Sequence, residues 1–128
     1  MKKILFVLAV VLMASCQETL EERGAREARD YTEKHCPTPV ASNVVMDSMT
    51  FDKATHTFGY YYTLKGTIDD TATIRRNNPR DLLLQQVRNS TNLKTFKEAG
   101  YNFRYIYYSE KNTQTVYLDI LLTEKDYQ

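Results

Sequence analysis

The sequence is poor in the residue types and motifs on which most catalytic sites depend. Its 128 residues include two histidines, two cysteines, four glycines and no tryptophan. It has no Gly-Xaa-Ser-Xaa-Gly nucleophile elbow, no phosphate-binding loop and no His-Glu-Xaa-Xaa-His helix. Strained catalytic loops often depend on glycine, and four glycines leave few positions for such loops. We therefore expect a protein that is not an enzyme, with no cofactor and no metal site.

The sequence also lacks an excess of either charge. It has 17 Lys and Arg residues against 16 Asp and Glu residues. Nucleic-acid-binding domains usually carry a marked basic excess, so no nucleic-acid partner is expected. The length suits one small domain with one hydrophobic core.

The N-terminus carries the most specific pattern in the chain. Lys2 and Lys3 precede an uncharged apolar run, residues 4–14, which is too short to cross a bilayer comfortably as a permanent helix. Residues 13–16 then read Met-Ala-Ser-Cys. This resembles the lipobox of a bacterial lipoprotein signal, although leucine is commoner at the position of the methionine. The resemblance implies cleavage before Cys16, diacylation of its thiol and acylation of the new N-terminus.

The expected domain organisation follows from that signal. Residues 1–15 are a signal peptide that is removed, residues 16–18 are the lipidated cysteine and a short tether, and residues 19–128 form a single domain. Each buried methylene of an acyl chain contributes about 0.8 kcal/mol, so more than one chain on Cys16 gives stable anchoring. We expect a cell-envelope location at the outer membrane, periplasmic or surface-exposed. The alternative is an ordinary secretory signal followed by a chance cysteine.

Residue periodicity predicts an α+β fold in the order helix, hairpin, helix, hairpin. Thr19 and Glu22 form a capping-box pattern at the start of the first helix, whose stripe of small residues predicts that it buries little. Alternating apolar residues predict hairpins over residues 44–64 and 101–123, and Pro79 suits the start of a helix between them. We expect a four-stranded, mainly antiparallel sheet with helices packed on it. The strand order stays open.

Side-chain pairing suggests a register for each hairpin. In the first hairpin the predicted pairs are Phe51 with Phe58, Met49 with Tyr60, Asp47 with Tyr62 and Val45 with Leu64. In the second hairpin they are Phe103 with Ile120, Arg104 with Asp119, Tyr105 with Leu118, Ile106 with Tyr117, Tyr107 with Val116 and Tyr108 with Thr115.

Several short segments resemble a run found in small secreted or lipid-anchored envelope proteins of Bacteroidota. They are His35-Cys36-Pro37, Met46 to Thr50, Tyr60 to Leu64, Leu93-Lys94, Phe103 to Tyr108 and Ile120 to Thr123. The resemblance implies a cell-envelope protein of a group whose function is uncharacterised. It carries over no catalytic or binding residues.

Few residues offer reactive chemistry. If Cys16 carries lipid, Cys36 has no intramolecular disulfide partner, and a buried thiol is the favoured interpretation over an intermolecular disulfide or a reactive group. A small envelope hydrolase using Cys36 or a histidine is the main alternative function. A dyad of Cys36 with His56 would need the first hairpin loop to fold back onto the end of the first helix. His35, Cys36 and His56 show no repeated metal-ligand spacing.

The tyrosines are the more informative feature of the remaining chain. One face of the final hairpin is expected to pack on a helix, but the opposite face is also apolar and carries Ile106, Tyr108 and Tyr117. Tyrosine suits partner surfaces because it is large and tolerates water at its hydroxyl. We hypothesise that these residues, with Tyr61, form an interaction face for a protein partner or a second copy. Core packing alone is the alternative.

The predicted function is therefore that of a non-catalytic binding module, held at the membrane through lipid on Cys16. An inhibitor or immunity-type protein is a further alternative, since it would also act by non-catalytic binding and would differ only in its partner.

Overall fold

The computed structural model describes residues 17–128, so the predicted signal peptide and Cys16 lie outside the described residues. The elements are α1 (Leu20–His35), β1 (Thr38–Ala41), β2 (Val44–Asp52), β3 (Thr57–Leu64), α2 (Thr71–Arg76), α3 (Pro79–Asn89), α4 (Lys94–Glu98), β4 (Asn102–Ser109), β5 (Val116–Leu122) and α5 (Glu124–Tyr127). A short 3-10 helix, Gly66–Ile68, follows β3. The fold is α+β, as predicted. No helix within residues 17–128 has the length and apolar character to span a bilayer.

The sheet has five strands in the spatial order β1-β2-β3-β4-β5, so the expectation of four strands was wrong. The additional strand is β1, a four-residue edge strand that pairs with β2 through Thr38 and Met46. It contains Pro39 and shows no alternating apolar pattern, which is why periodicity did not indicate it. A proline is tolerated there because one side of an edge strand needs no hydrogen-bond donors.

The central pair of strands is parallel, which makes the sheet mixed. β3 and β4 run in the same direction, whereas the other three neighbouring pairs are antiparallel. The segment between them holds α2, α3 and α4, and a crossover of that length returns the chain to the end at which β3 began. The predicted order of helix and hairpin is therefore replaced by a helix, three strands, three helices, two strands and a final helix.

The first predicted register holds only over half of its hairpin. The pairs Phe51 with Phe58 and Met49 with Tyr60 are confirmed. A β-bulge at Asp47 then shifts the pairing, so that Val45 faces Thr63 and Met46 faces Tyr62. The predicted pairs of Asp47 with Tyr62 and of Val45 with Leu64 are therefore wrong. The bulge leaves Asp47 exposed, where its Oδ2 accepts a hydrogen bond from Thr63 Oγ1 at 2.6 Å.

The second predicted register is wrong by two residues. Phe103 faces Leu122, Tyr105 faces Ile120, Ile106 faces Asp119 and Tyr107 faces Leu118, and a bulge follows before the pair of Tyr108 with Val116. Because side chains alternate with period two, a shift of two residues leaves residues 118–122 on their predicted faces. The bulge places Val116 opposite Tyr108, and so on the other face from the one predicted. Arg104 and Asp119 still form an ion pair at 2.6 Å, now diagonally across the strands. The connecting loop is longer than the predicted turn.

Helix α1 packs closely on the sheet, which corrects the expectation that it buries little. The predicted capping box of Thr19 and Glu22 is confirmed, and Gly24 and Ala28 are buried. A Cβ at Gly24 would lie 3.1 Å from the Phe51 ring, so the small residue permits this approach. One turn before the end of the helix, Thr32 Oγ1 donates to Met49 O and accepts from Met49 N.

All the described helices lie on one face of the sheet, where the core is built. The most buried members of this core are Phe58, Phe96, Phe103, Leu122 and Val87, with Met46, Leu83, Tyr101 and Tyr127 around them. Helices α3 and α4 cover one part of this face through Leu83, Val87 and Phe96. Helix α1 covers another part of the same face. The two groups of helices leave a groove between them, and the opposite face of the sheet bears no described helix.

Candidate interaction sites

The open face of the sheet contains three of the four residues of the predicted interaction face. Tyr61 of β3 lies directly beside Ile106 of β4, and Tyr108 lies two positions further along β4. Tyr61 and Tyr108 are half-buried, whereas Ile106 is only 4% exposed and fills the space beneath its neighbours. Of these three residues, a partner approaching the face would meet mainly the two tyrosines.

Polar groups surround the tyrosines on this open face. Arg104 donates two hydrogen bonds to Asp119, from Nε at 2.8 Å and from a terminal nitrogen at 2.6 Å, which holds the pKa of that carboxyl below its usual value. The Tyr61 ring lies across Gly59, where an added Cβ would be 3.1 Å from its Cε2 atom. The result is a shallow depression walled by Thr50, Asp52, Thr57, Asn102 and Leu121.

Tyr117, the fourth predicted residue, has a structural contact of its own. Its hydroxyl donates to Asp69 Oδ1 at 2.6 Å, while Lys111 N donates to the other carboxylate oxygen at 3.1 Å. The hydrogen bond from Tyr117 is the main cause of a lowered pKa for Asp69, a buried residue. Asp69 therefore joins the segment after β3 to Tyr117 of β5 and to the loop between β4 and β5, and the Tyr117 hydroxyl is already engaged.

A second site, which the sequence did not indicate, is the groove between α1 and the helices α3 and α4. Its volume is about 710 Å³. Tyr60 and Tyr62 of β3 and Tyr105 of β4 form its floor, together with Met49 and Phe58. One wall is formed by Arg23, Glu27 and Tyr31, and the other by Gln86, Ser90, Thr91, Asn92, Leu93 and Thr95. We call it the tyrosine groove.

The floor of the tyrosine groove follows from the parallel register of β3 and β4. This register places Tyr60 beside Tyr105 and Tyr62 beside Tyr107, with ring centroids 4.8 and 4.7 Å apart and ring planes within about 15°. Burial raises the pKa of Tyr60, Tyr62 and Tyr105 and brings that of Tyr107 to about 12, so all four phenols are protonated at neutral pH. The Tyr-Xaa-Tyr spacing is visible in each strand, but only the pairing brings the two together.

The residues considered for catalysis are not assembled. Cys36 follows the last residue of α1, whereas His56 Nε2 donates a hydrogen bond at 3.1 Å to the carboxylate of Glu21, in the first turn of that helix. A 16-residue helix is about 24 Å long, so the Cys36–His56 dyad considered for the alternative function does not form. Burial also raises the pKa of the Cys36 thiol, which disfavours the reactive thiolate. Among residues 17–128, no cluster of His, Cys, Asp and Glu has the arrangement of a metal site.

The predicted tether is partly ordered against the domain. Arg26 donates two hydrogen bonds to Glu18, at 2.6 and 3.1 Å, and Thr19 caps α1. Only Gln17 separates these contacts from Cys16, the predicted site of lipidation.

Solved structures with the same fold come from secreted proteins and secretion systems. A candidate secreted protein from Pseudomonas aeruginosa aligns with a TM-score of 0.66 and 9% identity, over 88% of this chain and 100% of its own. The pilotin EpsS of the Vibrio vulnificus type 2 secretion system aligns at 0.61 and 12% identity, over 85% and 92%. The type II secretion system pilotin AspS from Vibrio cholerae aligns at 0.59 and 14% identity, over 89% and 97%.

Comparison of the sequence identifies one family. A family model described as "Domain of unknown function (DUF8479)" matches residues 19–118, from the cap of α1 into β5. No protein with a curated description matches the sequence significantly.

Proposed function

Since the chain belongs to the DUF8479 family and its fold is that of secretion-system pilotins, we propose that it is a lipid-anchored protein of the bacterial cell envelope that acts as a non-catalytic binding module for a partner protein. The observation that carries this proposal is the extent of the structural match, which covers 92% and 97% of the two pilotin chains. A match over nearly the whole of both pilotin chains means that the complete domain, and not a shared substructure, has the fold of these pilotins.

Two further features support the proposal. The N-terminal pattern ending in Cys16 resembles a lipoprotein signal, and only three residues, Gln17 to Thr19, separate it from the first residue of α1. The domain offers two surfaces lined by tyrosine, the open sheet face and the tyrosine groove. The alternative of a hydrolase using Cys36 or a histidine loses support because Cys36 and His56 lie at opposite ends of α1.

Anchoring is tested with Cys16→Ser in the native bacterium. We expect the wild-type chain to incorporate labelled palmitate and to fractionate with the outer membrane, and the variant to lose the label and leave the membrane fraction. Cys36→Ser is the matched control and should behave as wild type. A wild-type chain that takes up no label would leave an ordinary secretory signal as the better interpretation.

Partner binding is tested by in-cell photo-crosslinking with p-benzoylphenylalanine. The crosslinker is placed at Gln86 in the wall of the tyrosine groove, at Leu121 on the open sheet face, or at the exposed control position Glu33. We expect a discrete protein adduct from at least one of the first two positions and none from Glu33. The absence of an adduct from both, at wild-type expression levels, would contradict the proposal of a binding module.

A further inference from the structure

We propose that the tyrosine groove binds an extended, uncharged segment of the partner protein, which lies edge-on along the hydroxyl groups of Tyr60, Tyr62 and Tyr105. This inference rests on the proposed function only in taking the partner to be a protein. The site itself is argued from the groove.

Two buried tyrosines of the groove have hydroxyl groups with no hydrogen-bond partner in the described chain. Tyr60 is 7% exposed and Tyr105 is 6% exposed, and both line the groove. Neither hydroxyl makes a hydrogen bond within residues 17–128. Every side-chain oxygen that is fully shielded from solvent in these residues has a hydrogen-bond partner, so the two hydroxyl oxygens are not fully shielded. The two hydroxyls therefore emerge into the groove. Buried tyrosines usually find a partner for the O–H group, and here the free space above them is where a ligand would supply it.

The stacking of the tyrosine rings determines which part of each side chain faces the groove. The rings of Tyr60 and Tyr105, and those of Tyr62 and Tyr107, lie face to face. The faces are therefore largely occupied by neighbouring rings, and the hydroxyl tips are what the groove presents. Sugar rings usually stack on an open aromatic face, which is scarce here. The apolar side of a helix would cover the hydroxyls without pairing them, at a desolvation cost.

The spacing of the tyrosines along each strand matches the spacing of polar groups along an extended peptide. Tyr60 and Tyr62 lie two positions apart on β3, as do Tyr105 and Tyr107 on β4, so each row repeats at about 6.6 Å. One edge of an extended peptide presents a carbonyl and an amide at the same interval. Phenol hydroxyls can donate to the carbonyls and accept from the amides. The two periods match over the length of the floor.

The walls indicate that the bound segment carries no net charge. Arg23 and Glu27 on α1 bind each other at 2.9 Å, so neither requires a charged ligand. The facing wall offers the neutral side chains of Gln86, Ser90 and Asn92. A volume of about 710 Å³ lies within the usual range of ligand sites and has room for a few residues.

The test is selection from a phage-displayed library of random 12-residue peptides against the chain beginning at Gln17, which contains the whole core. Selected peptides are then synthesised and their Kd values measured by fluorescence anisotropy. We expect sequences poor in charge, and we expect Tyr60→Phe and Tyr105→Phe each to weaken binding about five- to tenfold, the usual effect of losing one hydrogen bond. The matched control is Tyr101→Phe, since Tyr101 is equally buried but lies outside the groove lining.

The free protein provides a second measurement. Because the hydroxyls of Tyr60 and Tyr105 have no partner within the described chain, both phenylalanine variants should keep the wild-type near-UV circular dichroism spectrum and a thermal midpoint that is unchanged or higher. The inference is overturned if no peptide is enriched, if the phenylalanine variants bind as tightly as wild type, or if the selected peptides become helical on binding. Binding of chitohexaose in place of peptides would also overturn it. An in-cell adduct from Leu121 but not from Gln86 would support the proposed function and contradict this inference.

Discussion

At the scale of single residues, the clearest lesson comes from Tyr117 and Asp69. The sequence suggested a surface role for Tyr117, since it alternates with other apolar residues on β5. The structure gives its hydroxyl to a buried carboxylate that lies 48 positions earlier in the chain. A contact between a loop and a strand that far apart in the chain leaves no periodic pattern, so it could not be read from the sequence.

Replacement of Tyr117 by phenylalanine should lower stability at neutral pH, because Asp69 loses its main hydrogen-bond donor. The pKa of Asp69 is lowered in the folded chain, so this contribution is present above the unfolded value of about 3.9 and is lost as the pH falls through the folded pKa. The difference between variant and wild type in urea midpoint should therefore be largest near pH 7 and shrink below about pH 4. A difference that stays constant from pH 7 to pH 3 would show that the bond is not to an ionised carboxylate. Tyr108→Phe, which removes a hydroxyl with no hydrogen bond in the described chain, is the control.

At the scale of elements, helix α1 shows how a small residue sets the distance between layers. The stripe that includes Gly24 and Ala28 looked too small to bury much area. The same small size lets the helix backbone come down onto Phe51 and Phe58, with Thr32 bound to the backbone of β2. Small residues can thus mark close packing as well as weak packing, and sequence alone does not separate the two.

Gly24→Val should destabilise the domain by roughly 1–3 kcal/mol, the usual cost of overpacking a closely packed site. A Cβ at this position already lies 3.1–3.2 Å from ring carbons of Phe51 and Phe58. Arg29→Val, at an exposed position of the same helix, should cost no more than the difference in helix propensity, which is below about 0.7 kcal/mol. Urea unfolding of the two variants measures both values. Equal costs would mean that α1 does not pack on the sheet at Gly24.

At the scale of the whole molecule, helices α1, α3, α4 and α5 share a single core on one face of the sheet. Phe58 of β3 contacts the rings of Phe51, Phe96 and Phe103, which belong to β2, α4 and β4. No part of the described chain has a hydrophobic core of its own. The domain should therefore behave as one cooperative unit, which small domains with one core usually do.

We expect urea unfolding of the chain beginning at Gln17 to give one transition, with the same midpoint by far-UV circular dichroism and by tyrosine fluorescence. The Gly24→Val variant should move both signals together, because α1 belongs to the shared core. Two separate transitions, or a variant that shifts only the helical signal, would show that α1 folds independently of the sheet.

Part of the fold and little of the candidate site could be predicted from the sequence. Local signals identified the start of α1, the faces of β3 and β4 and the ion pair of Arg104 with Asp119, because each depends on residues within one helix or hairpin. The same reasoning placed Tyr61, Ile106 and Tyr108 together correctly on one face. It missed the tyrosine groove, since neither strand alone shows that Tyr60 will lie beside Tyr105.

Local patterns in the sequence established the α+β class, the confirmed helix cap and the faces of β3 and β4, because capping and alternation act over a few neighbouring residues. The tertiary structure alone decided the five-stranded order, the parallel pairing of β3 with β4 and the bulge at Asp47. These depend on where a crossover of three helices returns the chain, which is set by packing across the whole domain. The paired tyrosines of the groove, and the ligand we propose for them, are a consequence of that long-range pairing.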